Sequence, residues 1–251
     1  QPEGRIIRVF WGSDHGFILT SFTDFGSPPA LDICGGDFNA DGAADLAVLR
    51  SDGLVRFVWS EAGLRKLEEG EPDIAALTGM TGTRLAAGDW NGDGRTDLVV
   101  GSSTDSVYLL PNRTDKPWTD GAVLTGFRAD DIAIGDVDAD GHPDLVFTRG
   151  GIAHAAGGEA IGVEKGVTGV LRILWGPAEG FSSAEALDLT VPYATSTAIG
   201  DLDADGRPDL AVAVYQSDDG TFATKAALLF GKAGRSFDGP VEGPPVSGAT
   251  G

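Results

Sequence analysis

Four copies of one thirteen-residue phrase constrain this chain more than any other feature it carries. GDFNADGAADLAV begins at Gly36, GDWNGDGRTDLVV at Gly88, GDVDADGHPDLVF at Gly135 and GDLDADGRPDLAV at Gly200, and all keep G-D-x-[DN]-x-D-G-x-x-D-L. Asp, Asn and Gly are ordinary turn residues, so a single copy would read as a polar turn. Four copies are beyond chance. Their first aspartates, Asp37, Asp89, Asp136 and Asp201, stand 52, 47 and 65 residues apart. A period of this size signals a repeat architecture, in which like units stack and bury their faces on one another. The 251 residues are enough for one or two domains, and the repeats argue for one.

The spacing inside each copy matches the demands of calcium. Ca²⁺ takes about 6 to 8 oxygen ligands, so a short loop must turn several carboxylates inward at once. Alternate positions 1, 3, 5 and 9 of each loop supply them: Asp37, Asn39, Asp41 and Asp45; Asp89, Asn91, Asp93 and Asp97; Asp136, Asp138, Asp140 and Asp144; Asp201, Asp203, Asp205 and Asp209. Glycine at position 6 permits the sharp turn that offers the backbone carbonyl of position 7, which is Ala43, Arg95, His142 or Arg207. At His142 the carbonyl, not the ring, is the expected ligand. A helical calcium loop would end in glutamate at position 12, whereas each of these runs straight into a β-type apolar stretch. The loops therefore join strands. About four structural Ca²⁺ ions are expected.

An apolar strand leads into each loop, as in RLAAGD at 84 to 89 and DIAIGD at 131 to 136, and a second leaves it, as in DLVVGS and DLVFTR. A third follows at 54 to 60, 106 to 112, 170 to 176 and 225 to 231, with a less regular fourth such as AVLTG at 122 to 126. Four short antiparallel strands in roughly 50 residues is the size of one propeller blade. The chain thus resembles the FG-GAP or VCBS repeat family, whose calcium-bearing blades also occur in the integrin α-subunit propeller. The FG of that name stands at Phe230-Gly231, with Trp11-Gly12 and Trp175-Gly176 as variants. What the resemblance implies is an all-β fold, a β-propeller of four-stranded antiparallel blades.

The units are expected near 26–77, 78–126, 127–190 and 191–251, in one domain over 1–251. Residues 1–25 read as a half blade that holds only a third and fourth strand. Part of a six- or seven-bladed ring is preferred to a five-bladed closure.

The charge of −20 argues against nucleic acid as a partner. Fourteen aspartates lie in the loops, and four Ca²⁺ would leave about −12. No stretch is long or apolar enough to span a bilayer, so membrane insertion is not expected. No signal peptide is read either; secretion is inferred from calcium sites of a type easily filled outside the cell, with a leader already removed. The single Cys34 forms no disulfide framework and reads as a small buried residue.

Position 2 of the loops, Phe38, Trp90, Val137 and Leu202, is apolar and expected to pack. Trp11, Trp59 and Trp175 recur in the third strand, where they would fill the wedge between blades. Trp118, in KPWTDG, breaks the repeat and is the candidate for an exposed aromatic contact. Asn112-Arg113-Thr114 matches a glycosylation sequon but is read as a turn. The longest interval comes from an insertion, GGIAHAAGGEAIGVEKGVTG at 150–169, between strands 2 and 3 of the third blade. It belongs on the face opposite the calcium loops, beside YQSDDGTFAT at 215–224 in the next blade. Insertions in repeat proteins commonly build binding surfaces. Together with Trp118, His154, Glu159, Tyr215, Gln216, Asp218 and Asp219 are the candidate ligand-binding residues. The expected role is a secreted, lectin-like or cell-surface recognition module with a glycan or surface-protein ligand, suited to targeting within a larger secreted assembly. A scaffold for a polysaccharide-degrading enzyme and a purely structural interaction propeller are the alternatives; no catalytic constellation is read.

Overall fold

The apolar run that follows each aspartate loop is buried on both faces where a sheet lies on either side of it, and this property organises the architecture. In the second unit it reads Asp97–Ser102, and all six residues are buried. A strand apolar on both sides needs a partner layer on each side. Neighbouring units provide those layers. The computed structural model describes residues 6–26, 29–61, 64–69, 82–102, 104–113, 118, 121–150, 152–154, 160–163, 168–176, 181, 185–214 and 225–245.

Its elements are all strands. β1 (Ile6–Ser13) and β2 (Gly16–Gly26) form a two-stranded antiparallel sheet, the expected half unit. Four-stranded antiparallel sheets follow. The first is β3 (Ala30–Gly36), β4 (Asp45–Arg50), β5 (Val55–Glu61) and β6 (Leu64–Glu69); the second is β7 (Gly82–Gly88), β8 (Asp97–Ser102), β9 (Ser106–Leu110) and β10 (Ala122–Thr125).

In the third sheet β11 (Asp131–Gly135) and β12 (Asp144–Arg149) are separated in sequence from β15 (Val170–Leu174) and β16 (Leu187–Thr190) by a small hairpin, β13 (Ile152–His154) with β14 (Ala160–Val163). The last sheet is β17 (Ala194–Gly200), β18 (Asp209–Val214), β19 (Lys225–Lys232) and β20 (Ser236–Pro245). Among the described residues no helix is long and apolar enough to cross a membrane.

Strand alternation divides the core into joints. Leu98 and Val100 face the first sheet and join Phe38, Ala47, Leu49, Val55 and Phe57; Val99, between them, faces the third sheet with Ile132, Leu145 and Phe147. In turn Val146 points to Leu210, Val212 and Leu229 of the last sheet. Each cluster therefore lies between successive sheets, and side-chain period 2 of the β-strand does the sorting. Three joints result.

The first strands of successive sheets, β3, β7, β11 and β17, lie against one another in order. Two of these contacts carry a polar tie. Asp32 in β3 accepts the Leu85 N–H at 2.8 Å, and Asp131 in β11 accepts the Thr197 N–H at 2.8 Å and the Ser196 hydroxyl at 2.9 Å. The residue at that place in β7 is Arg84, which donates to the neighbouring Thr83 carbonyl instead. Cys34 is half-buried against the first joint, and its burial pushes the thiol up to about 12.

Candidate metal centres

Each aspartate loop connects the first and second strands of its sheet, so all four lie at the same end of their sheets. Pairing of Gly36 with Asp45, Gly88 with Asp97, Gly135 with Asp144 and Gly200 with Asp209 closes the base of each loop. The short turn between each pair has too few residues for both its backbone and its carboxylates to be satisfied from outside.

The loops solve this internally, and in the same way. In the second loop Asp89 accepts the N–H of Asp93 on Oδ1 at 3.0 Å and that of Gly94 on Oδ2 at 2.8 Å. Asn91 accepts from Asp93 at 2.8 Å, and Asp93 accepts from Arg95 at 3.0 Å. The equivalent four bonds recur in the first loop on Asp37, Asn39 and Asp41, in the third on Asp136, Asp138 and Asp140, and in the fourth on Asp201, Asp203 and Asp205. Backbone N–H groups thus point at the ligand side chains and fix their orientation. Ala43, Arg95, His142 and Arg207 each donate to position 5 in this pattern, and the His142 ring is exposed.

The position 6 glycines are left-handed, with φ from 83 to 91°. Position 4 is left-handed as well. Gly92 has φ 74°, but alanines hold the other three places: Ala40 at 61°, Ala139 at 60° and Ala204 at 61°. A left-handed alanine costs on the order of 1 kcal/mol, so the inward hydrogen bonds must hold it there. The turn requirement at position 6 does not reveal this second site of strain.

Position 9 is the anchor. Asp45, Asp97, Asp144 and Asp209 are at most 1% exposed, and one oxygen of each accepts a backbone N–H from the third strand or just beyond it: Ser60 at 2.8 Å, Asn112 at 2.7 Å, Gly176 at 2.7 Å and Gly231 at 2.8 Å. The second oxygen of Asp45, Asp144 and Asp209 accepts the N–H of position 2. In the second loop Trp90 N–H turns to Gly88 instead, so Asp97 Oδ2 lacks the bond its counterparts have and is buried with only a weak approach from the Asn91 N–H to the carboxylate.

The donor set fits calcium. All contributed side-chain atoms are oxygens, the choice of a hard cation. One oxygen each of Asp136, Asp138 and Asp144, and likewise of Asp201, Asp203 and Asp209, lie within 4.8 Å of one another. The Asp97 oxygen that makes no full hydrogen bond has the same need of a cation, since an incompletely paired buried carboxylate is costly. Electrostatics agree. Burial pushes Asp97 up to about 6, with Asp93 and Asp89 adding to it, and Asp144 up to about 6, with Asp138 and Asp140 adding. Burial raises Asp45 too.

Around the loops, position 2 behaves as a plug for the next joint. Phe38 and Val137 are buried in the first and third joints, and Trp90 packs into the second, 5.9 Å from the Phe181 ring. Leu202 departs from the packing expectation, at 51% exposed; among the described residues no sheet covers that side of β17 and β18. Trp175 is buried in the third joint, Trp59 packs against the first, and Trp11 donates to Thr23 at 2.9 Å.

Trp118 is half-buried rather than free. Its ring stacks on Phe57 at 4.9 Å, which stacks in turn on Trp59 at 5.0 Å.

The insertion does leave its sheet opposite the loops: β12 runs from Asp144 at the loop end to Arg149, where the connection to β15 begins. His154 lies on β13, and its strand pairs with β14 through Ile152 and Val163. Glu159, Tyr215, Gln216, Asp218 and Asp219 lie outside the described residues; of the candidate ligand group, Trp118 and His154 are described.

No curated protein matches the chain. Residues 37–100 and 89–147 match the FG-GAP-like repeat, and residues 193–229 match the FG-GAP repeat. Those matched stretches contain all four loops, the second strands of the first, second and fourth units, and the first four residues of β12. The chain belongs to the FG-GAP repeat family, and its four-stranded sheets are blades of the β-propeller kind.

Proposed function

We propose that this chain is a calcium-stabilised, secreted β-propeller domain, continuous over residues 1–251, that recognises a glycan or a cell-surface ligand. The observation that carries the calcium half of this reading is the buried Asp97 carboxylate, one oxygen of which makes no full hydrogen bond while its neighbours Asp93 and Asp89 crowd it with negative charge. Four loops of the same internal geometry extend the argument to about four ions, held by side chains at positions 1, 3, 5 and 9 and the carbonyl at position 7. Metal bound to the folded loops alone would stabilise the fold by linkage.

The recognition half rests on the β13–β14 hairpin, which a blade does not need for its own sheet and which leaves the end opposite the metal loops. A glycan array probed with calcium present, then with Tyr215→Ala and with residues 152–167 deleted, tests it. Loss of binding in either variant supports the reading. Unchanged binding in both places the ligand elsewhere, and an empty array rejects the glycan.

One observation favours the reading of a protein-interaction propeller. The β1–β2 hairpin exposes Ile6, Phe17 and Leu19 at 56, 75 and 78%, a density of apolar surface that commonly marks a protein contact. A Leu19→Asp variant that lost binding to a surface protein while keeping any glycan binding would support it.

A further inference from the structure

The third loop is tied to a different blade. Arg235 sits in the turn between β19 and β20 of the last blade, next to Gly234, and both residues are left-handed, with φ 59 and 81°. Its Nε donates to Asp138 Oδ2 at 2.7 Å and its Nη2 to Asp140 Oδ2 at 3.3 Å. The guanidinium carbon also stands 5.2 Å from the centroid of Trp175, which is buried in the third joint. Asp138 and Asp140 are positions 3 and 5 of the third loop.

Charge explains why an arginine is tolerated there. The third and fourth loops carry aspartate at position 3, which gives four carboxylates each, whereas the first two carry Asn39 and Asn91. Each four-carboxylate loop has one arginine on its ligand side chains: Arg235 on the third, and Arg207 on Asp205 of the fourth at 3.1 Å. Among the described residues no arginine bonds the carboxylates of the first two loops. In the fourth loop the arginine comes from position 7 of the loop itself. Only in the third does it come from a neighbour.

With Arg235 in place, oxygens of Asp136, Asp138 and Asp144 still converge within 4.8 Å. The arginine uses Oδ2 of Asp138, while Oδ1 accepts the Asp140 N–H. Four negative charges exceed what one arginine or one divalent ion neutralises, so both cations can be held together. From these contacts we infer that Arg235 is a positioning residue for calcium at the third loop, and that the occupied loop clamps the turn of the last blade against the third. This rests on the calcium reading above. Among the described residues no ligand carboxylate of the other three loops receives a side chain from a neighbouring blade.

Hydrogen exchange of the full chain, in calcium chloride or in chelator, tests the clamp in the wild type, Arg235→Gln and Asp138→Asn. Asn is native at this place in the first two loops, so the second variant keeps a working ligand while removing the carboxylate of the shorter of the two Arg235 contacts. In the wild type, calcium is expected to slow exchange both in 136–144 and in the turn 233–236. In both variants saturating calcium still protects 136–144 but no longer the turn, and Arg235→Gln needs about tenfold more calcium, the scale of an outer-shell partner. Faster exchange of the turn on adding calcium would mean displacement of the arginine and would overturn the inference. So would turn protection that survives in both variants, or a turn indifferent to calcium while the loops respond. If calcium protects none of the four loops, the calcium reading itself falls, and this inference with it.

Discussion

The carboxamide of Asn112 donates to the carbonyl of Phe38 at 2.8 Å, across the joint between the first two blades. It also donates to Thr96 at 3.1 Å, and its own N–H reaches Asp97. Asn112 is 3% exposed, so one side chain links the aspartate loops of two blades in a dry place.

Asn112→Ala is therefore expected to destabilise the protein by about 1–3 kcal/mol, because two backbone carbonyls lose their donor inside the joint. A shifted urea midpoint with an unchanged slope checks it. Both amide hydrogens are committed, so the sequon at Asn112 is closed in the folded state. Mass spectrometry of soluble protein from a glycosylating host should find Asn112 unmodified.

Calcium should raise the melting temperature, and chelator should lower it. Each saturated site adds about 2.7 kcal/mol at one hundred times its dissociation constant. Calorimetric titration should count four sites. Fewer than three, or a melting temperature indifferent to chelator, contradicts the assignment. Asp93→Ala should remove the second site and loosen its own hairpin while the other loops still bind.

In chelator the pH dependence has a defined sign. Asp97 and Asp144 rise from the ordinary 3.8 to about 6 on folding, so the folded state binds more protons than the unfolded state between these values. Their contribution to stability is present below about pH 4 and is lost as pH rises through about 6. Urea midpoints across pH 4 to 7 should fall in chelator and rise in calcium, where the ion favours the carboxylates. A metal-free midpoint that rises over this window would contradict the burial argument.

Gly176→Ala and Gly231→Ala should each cost about 1–3 kcal/mol through overpacking. A Cβ at Gly176 would meet the Pro143 carbonyl oxygen at 2.0 Å, and one at Gly231 the Pro208 oxygen at 2.1 Å. These are the glycines whose N–H groups reach Asp144 and Asp209. Closeness of backbone to loop is what requires glycine there. Thermal unfolding measures the loss, and Gly26→Ala, in open space, is the control.

The loops were legible because their geometry is local: the side chains at positions 1, 3 and 5 are held by bonds between near neighbours in the chain. The blades were legible because an apolar run such as Leu98–Val100 or Leu145–Phe147 recurs straight after every loop. What spacing cannot show is contact at long range. Arg235 lies 97 residues from Asp138, and Asn112 lies 74 from Phe38. Neither belongs to the repeated phrase. Trp118 read as free because it breaks the repeat, yet Phe57, itself stacked on Trp59, offers it a stacking surface from another blade. Ala40, Ala139 and Ala204 concealed their left-handed backbone because alanine seldom adopts it without help.

The sorting of Leu98 and Val100 to one side of β8, and of Val99 to the other, has a consequence for how the molecule can be divided. No blade owns a core. A piece cut to a single blade would bare two apolar sheet faces and gather no hydrophobic cluster of its own, so its expected fate is aggregation. Two adjacent blades are the smallest fragment that keeps one whole cluster. Lengthening such an array adds a loop and a joint together, whereas an insertion such as β13–β14, placed in a connection at the sheet's end, disturbs neither.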